Sequence, residues 1–129
     1  MKGYIIDLEK ETVSNTDYRR VLYTAHYSQL VLMSIAPGDE IGMEVHGLDQ
    51  FIRVDAGQAK AILDGVEHEL HDGFAVVIPA GTEHNIINTS ETEDLKLYSI
   101  YSLPEHKDGT IHKTKADERE EHFDGITTE

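Results

Sequence analysis

A chain of 129 residues, 39% hydrophobic and 28% charged, has the size and balance of one globular domain. Its 25 acidic against 11 basic residues give a formal charge of −14, which argues against a nucleic-acid partner and an anionic membrane surface. The absence of cysteine excludes disulfide frameworks, thiolate zinc sites, iron–sulfur clusters and cysteine nucleophiles.

The first residues, Met1-Lys2-Gly3-Tyr4-Ile5-Ile6-Asp7, carry one positive charge and no long apolar run, unlike a signal peptide. Nowhere does the chain reach the roughly 18 apolar residues of a membrane helix. A cytoplasmic location is therefore expected. Short apolar runs, many alternating or β-branched, predict strands over Tyr4–Leu8, Arg20–Ala25, Leu30–Ile35, Ile41–Val45, Phe51–Val54, Gln58–Leu63, Glu67–Leu70, Phe74–Ile78, His84–Asn88 and Leu95–Tyr101. Turn signals separate them at Pro37-Gly38-Asp39, Ala56-Gly57-Gln58, Asp64-Gly65, Asp72-Gly73 and Pro79-Ala80-Gly81. Asp64-Gly65 between two alternating runs predicts a tight hairpin. Strands of this length and spacing imply an all-β sandwich or barrel. From Pro104 the texture changes: residues 104–129 hold 8 acidic and 4 basic residues and few large apolar ones. We divide the chain into a barrel over 1–103 and an acidic tail over 104–129 that packs on its surface. One helix is expected over Lys113–Phe123, with Thr114 as N-cap and Asp117 three residues on.

Two segments carry the chemistry. In the first, Gly38 to Gly57, Glu44 and His46 are two apart on a predicted strand and so share a face, which Gln50 can reach from the next strand. In the second, Gly73 to Asn88, an apolar strand enters a Pro79-Ala80-Gly81 turn and the following strand begins at His84. No P-loop, GxGxxG or GxSxG pattern competes with them.

These segments resemble the two motifs of the cupin superfamily, in particular its small single-domain bacterial and archaeal members. Gly38, Glu44, His46, Gln50 and Gly57 fill the slots of the first motif, G-x5-H-x-H-x3,4-E-x6-G, at matching spacing. Gly73, Pro79, Gly81, His84 and Asn88 match every slot of the second, G-x5-P-x-G-x2-H-x3-N. Glutamate stands where the first histidine is expected, and glutamine where the glutamate is expected. The resemblance covers roughly residues 28–102.

The resemblance implies a single jelly-roll barrel of two antiparallel sheets around one divalent metal ion, held by Glu44, His46, Gln50 and His84. Two nitrogens and two oxygens make a harder site than three nitrogens and one oxygen, favouring Mn, Fe or Zn. Glu44, His46 and His84 also form the two-His-one-carboxylate pattern of non-haem iron oxygenases. Gln50 is either a fourth ligand or a group that holds a bound water or substrate. Glu44 and Tyr98 are the candidate catalytic residues, Tyr98 as a proton donor on a strand expected near the metal. Gly38, Gly57, Gly73, Pro79, Gly81 and Asn88 read as fold residues. His68 and His71 are expected on the surface, and solvent exposure is the default for His26, His106, His112 and His122. Arg53 and Lys60 either meet an anionic substrate or cover the outer face. The implied function is a metal-dependent enzyme on a small molecule, such as a sugar or sugar-phosphate isomerase. The alternatives are an Fe(II)-dependent dioxygenase and a non-catalytic ligand-binding module. The expected partners are a small-molecule substrate and a second copy of the chain, as a homodimer.

Overall fold

Alternation of apolar and polar side chains builds two antiparallel sheets whose apolar faces meet. The computed structural model describes residues 2–119 and 121–129. A short helix, α1 (Leu8–Ser14), precedes the strands β1 (Arg19–Thr24), β2 (Gln29–Ile35), β3 (Asp49–Ala56), β4 (Gln58–Leu63), β5 (Val66–His71), β6 (Ala75–Ile78), β7 (His84–Asn88), β8 (Leu95–Ser102) and β9 (Ile111–His112). The larger sheet runs β6-β3-β8-β2-β1-β9 and the smaller β5-β4-β7. Among the described residues no helix is long and apolar enough to cross a membrane.

Register fixes which residues face inward. In the larger sheet, Val31 opposes Ser99, Met33 opposes Leu97, and Ile35 opposes Leu95. Across the next pair, Val54 opposes Leu97 and Gln50 opposes Tyr101. All of these are buried, and the intervening residues are more exposed, except Leu32, which is buried as well. Ala59 and Ala61 of β4 and Ile86 of β7 close the core from the smaller sheet. The Asp64-Gly65 hairpin forms as expected. Both residues take positive φ, 47° and 82°, the twist that suits a two-residue connection between β4 and β5. Gly57 is required for space as well as for its φ of 105°: a Cβ there would lie 2.9 Å from the Asp94 carbonyl.

Three predicted elements differ. Tyr4–Leu8 is not a strand; Ile5 is exposed, and Leu8 instead opens α1, with Glu9 and Glu11 in the first turn. Helix α1 lies against β3 and β8 and buries Thr12. Ile41–Val45 is not a strand: it makes one isolated bridge, Glu44 to His84, and a second, Glu40 to Ile87, lies just before it. The expected helix over Lys113–Phe123 shrinks to a 3₁₀ turn over Lys115–Asp117, where the Thr114 amide donates to Asp117 Oδ2 at 3.1 Å. The tail is stitched into the barrel by β9, which pairs with β1.

Candidate metal centre

Glu44 and His46 reach the barrel interior because their extended segment is clamped to β7. The Glu44 amide donates to the His84 carbonyl at 2.8 Å, and the His84 amide returns a bond to Glu44 at 2.9 Å. One step further, the Gly81 amide donates to the His46 carbonyl at 2.8 Å, using the Pro79-Ala80-Gly81 turn as a second clasp. Backbone pairing of the two motif segments thus brings the three side chains together. Ligand-capable atoms of Glu44, His46 and His84 lie within 4.8 Å of one another. The His46 and His84 rings are 5.2 Å apart between centroids, and His46 Nε2 is 3.8 Å from Glu44 Oε2.

Each histidine is held by a contact at its Nδ1. His84 Nδ1–H donates to the Thr82 carbonyl at 2.9 Å; a carbonyl only accepts, so Nδ1 carries a proton and Nε2 is the atom left to face the cluster. His46 Nδ1 faces Glu105 Oε1 at 3.6 Å, and burial pushes its pKa below the ordinary value. Nε2 of His46 and Nε2 of His84 are both buried with no hydrogen-bond partner among the described residues. So is Oε1 of Gln50, whose amide nitrogen donates to Ser99 Oγ at 3.2 Å from the inner face of β3. Leaving a buried acceptor unmatched costs about 1–3 kcal/mol. Three such acceptors on three of the four motif-derived ligand residues fit coordination of an electrophile. Burial raises Glu44 to about 7, opposed by the charge of Arg19 and reinforced by Glu118 and Glu105.

A cavity of about 500 Å³ opens onto this cluster, lined by Glu44 and His46 together with Arg19, Glu105, His106 and Glu118. Tyr98 is absent from it. Tyr98 stands on the outer face of β8 against Phe51, 6.2 Å between ring centroids, so it cannot donate a proton into the barrel. The inward tyrosine is Tyr101, edge-on to His46 at 5.9 Å and kept protonated by burial. Arg53 and Lys60 also face outward, paired with Asp55 and Glu67. His106 and His112 depart from the expected exposure. His106 sits beside Tyr101, with Nε2 3.4 Å from its hydroxyl, and burial lowers it to about 3. His112 is buried against Arg19.

Sequence reasoning missed Arg19, which projects inward from the first residue of β1 and is 2% exposed. Its Nη1 donates to Glu118 Oε2 at 2.7 Å. A basic residue one position before a predicted alternating strand was its only local signal; its partner lies 99 residues away. Glu105 and Glu118 had no signal beyond membership of an acidic tail.

The chain is similar in sequence and fold to known proteins. A family model described as the Cupin domain matches residues 31–101. The chain is 40% identical over 123 residues to YrkC of Bacillus subtilis and 46% identical over 112 residues to L612 of Acanthamoeba polyphaga mimivirus. Those matches cover 90% and 84% of this chain, and it spans 66% and 70% of the two relatives' lengths. The crystal structure of BH2720 from Bacillus halodurans superposes with a TM-score of 0.87 at 42% identity, covering 90% of this chain and 92% of that one.

Proposed function

The chain belongs to the cupin family, and we propose that it is a metal-dependent enzyme acting on a small oxygen-rich substrate in the cavity beside Glu44, His46 and His84. The observation that carries this reading is the convergence of a carboxylate with two imidazoles whose Nε2 atoms are buried and unmatched. A divalent ion fits that donor set. Glu44, His46 and His84 would hold it, with Gln50 Oε1 as a further oxygen donor. When bound, the ion would polarise a carbonyl or hydroxyl oxygen.

The chain's own residues supply the rest. The Thr82 carbonyl fixes the His84 tautomer and Glu105 orients His46, so the ligands need no rearrangement. His106, held neutral by burial, offers a hydrogen-bonding edge without a charge. The buried Tyr101 ring packs behind His46 and restricts its swing. Polarisation of a carbonyl next to a hydroxyl-bearing carbon suits isomerisation of a sugar or sugar derivative. The two-His-one-carboxylate set favours a second reading, Fe(II)-dependent oxygenation.

Assay of chelator-stripped protein, reloaded separately with Mn, Fe(II) and Zn, against sugars and sugar acids tests both readings. The isomerase reading expects turnover that returns with metal and consumes no oxygen. Oxygen uptake restricted to the Fe(II) form would transfer the assignment to the oxygenase. A loaded protein no more active than the stripped one on the whole panel would count against an enzyme.

A further inference from the structure

Among the described residues of the cavity wall, the Arg19 guanidinium is the buried cation, and the other arginine, Arg119, is exposed. Its surroundings show what it is built to hold. The Tyr18 ring lies 5.3 Å from the guanidinium carbon, and His112 Nδ1 lies 3.3 Å from Nη1. The remaining contact is a carboxylate from the chain itself, Glu118 Oε2 at 2.7 Å from Nη1. That contact is incomplete. A carboxylate matches the planar fork of arginine with two parallel bonds, whereas Nε of Arg19 is buried with no partner among the described residues.

Glu118 is also poorly committed. Its side chain is 38% exposed against 3% for Arg19. It directly follows the 3₁₀ turn Lys115–Asp117, which is tied down by Lys115 Nζ donating to Asp39 Oδ1 at 3.1 Å.

We propose that Arg19 is the anchor for a substrate carboxylate, and that Glu118 occupies this place as an internal surrogate until the substrate displaces it. This deepens the enzyme reading above, on which its word "substrate" rests, and it narrows the substrate to a small carboxylic acid. An acid held at Arg19 extends along a cavity whose wall also carries Glu44 and His46, so its remaining oxygens face the metal cluster. The exchange also answers an electrostatic difficulty. A chain of net charge −14 would repel an anion added to it, but replacing Glu118 by another carboxylate leaves the charge beside Arg19 unchanged.

The test is titration calorimetry with malonate, on Zn-loaded and on EDTA-stripped protein, for wild type and Glu118→Ala. Malonamide serves as the uncharged control and sulfate as the non-carboxylate anion. We expect Glu118→Ala to bind malonate about tenfold more tightly than wild type in both forms. The gain should vanish when Arg19→Met is added. If that double variant fails to fold, Arg19→Lys with Glu118→Ala keeps the charge, removes the fork and should lose most of the gain. Malonate affinity unchanged within threefold in Glu118→Ala, or an equal gain for sulfate, would overturn the proposal. Metal content measured on the same samples separates the two claims. A gain in stripped protein that never takes up metal would leave the anchor standing and sink the metal reading. Full metal content with no gain does the reverse.

Discussion

Asn88 and His84 stand four positions apart on β7, and their surroundings are opposite. Asn88 is saturated: its amide nitrogen lies 3.0, 3.2 and 2.9 Å from the carbonyls of Ile35, Ala36 and Glu93, and its oxygen accepts the Ser90 amide at 2.9 Å. His84 is equally buried, yet its Nε2 has no partner among the described residues. The same contrast runs along β3 and β8. Val54 and Leu97 close one end of the barrel with apolar contact, while Gln50, Ser99 and Tyr101 make the other end polar. One end is built for stability. The other carries unmatched polar atoms that cost stability, and such atoms persist where a ligand completes them.

The contrast breaks most visibly through pH. Burial holds His106 at about 3 in the folded chain against 6.5 when unfolded, so between these values the unfolded chain binds the extra proton. The stability contributed by this group is whole above about pH 6.5 and drains as pH falls towards 3. Chemical denaturation of metal-free protein should show a pH slope over this window that His106→Gln flattens, with a difference on the order of 3 kcal/mol at its low end. Equal slopes for the two proteins would show that His106 is not buried as described.

At the saturated end, Asn88→Ala strips one donor from three carbonyls and should cost about 2–4 kcal/mol. Zn content per folded chain should stay at the wild-type level. Loss of metal together with stability would merge the two ends into one unit.

At the unmatched end, Glu44→Gln should act in the opposite direction. Burial raises the Glu44 pKa to about 7, so the stability its protonated form contributes is whole below 4.5 and lost as pH rises through 7. At pH 8 the neutral amide should therefore raise the melting temperature of metal-free protein. The gain is about 1 kcal/mol after discounting for solvent, since a third of the side chain is exposed. An unchanged or lower melting temperature at pH 8 contradicts it. The smallest effect is expected at Tyr98→Phe. The ring faces outward, so folding free energy should move by less than about 0.5 kcal/mol and turnover not at all.

The hairpin at Asp64-Gly65 and the placement of His46 and His84 were legible because turn chemistry and motif spacing are local signals. Tyr98 was misread for a physical reason. In Leu95-Lys96-Leu97-Tyr98-Ser99-Ile100-Tyr101 apolar residues occupy both faces, and the outward Tyr98 packs on Phe51 of the neighbouring strand. Parity alone then fails to say which tyrosine points inward. Helix α1 itself was hidden behind the apolar Tyr4-Ile5-Ile6 run, in which Ile5 is left to solvent. Arg19 was hidden because its meaning comes from Glu118, across 99 residues of chain. Long-range pairing of charged side chains leaves no periodic trace in a sequence.

The central claim is that Glu44, His46 and His84 form a metal site. Elemental analysis of protein purified without chelator, alongside Glu44→Ala and His84→Ala, tests it most directly. The wild-type chain should hold close to one divalent ion, and either variant less than about a tenth of that. Equal metal content in all three proteins would contradict it.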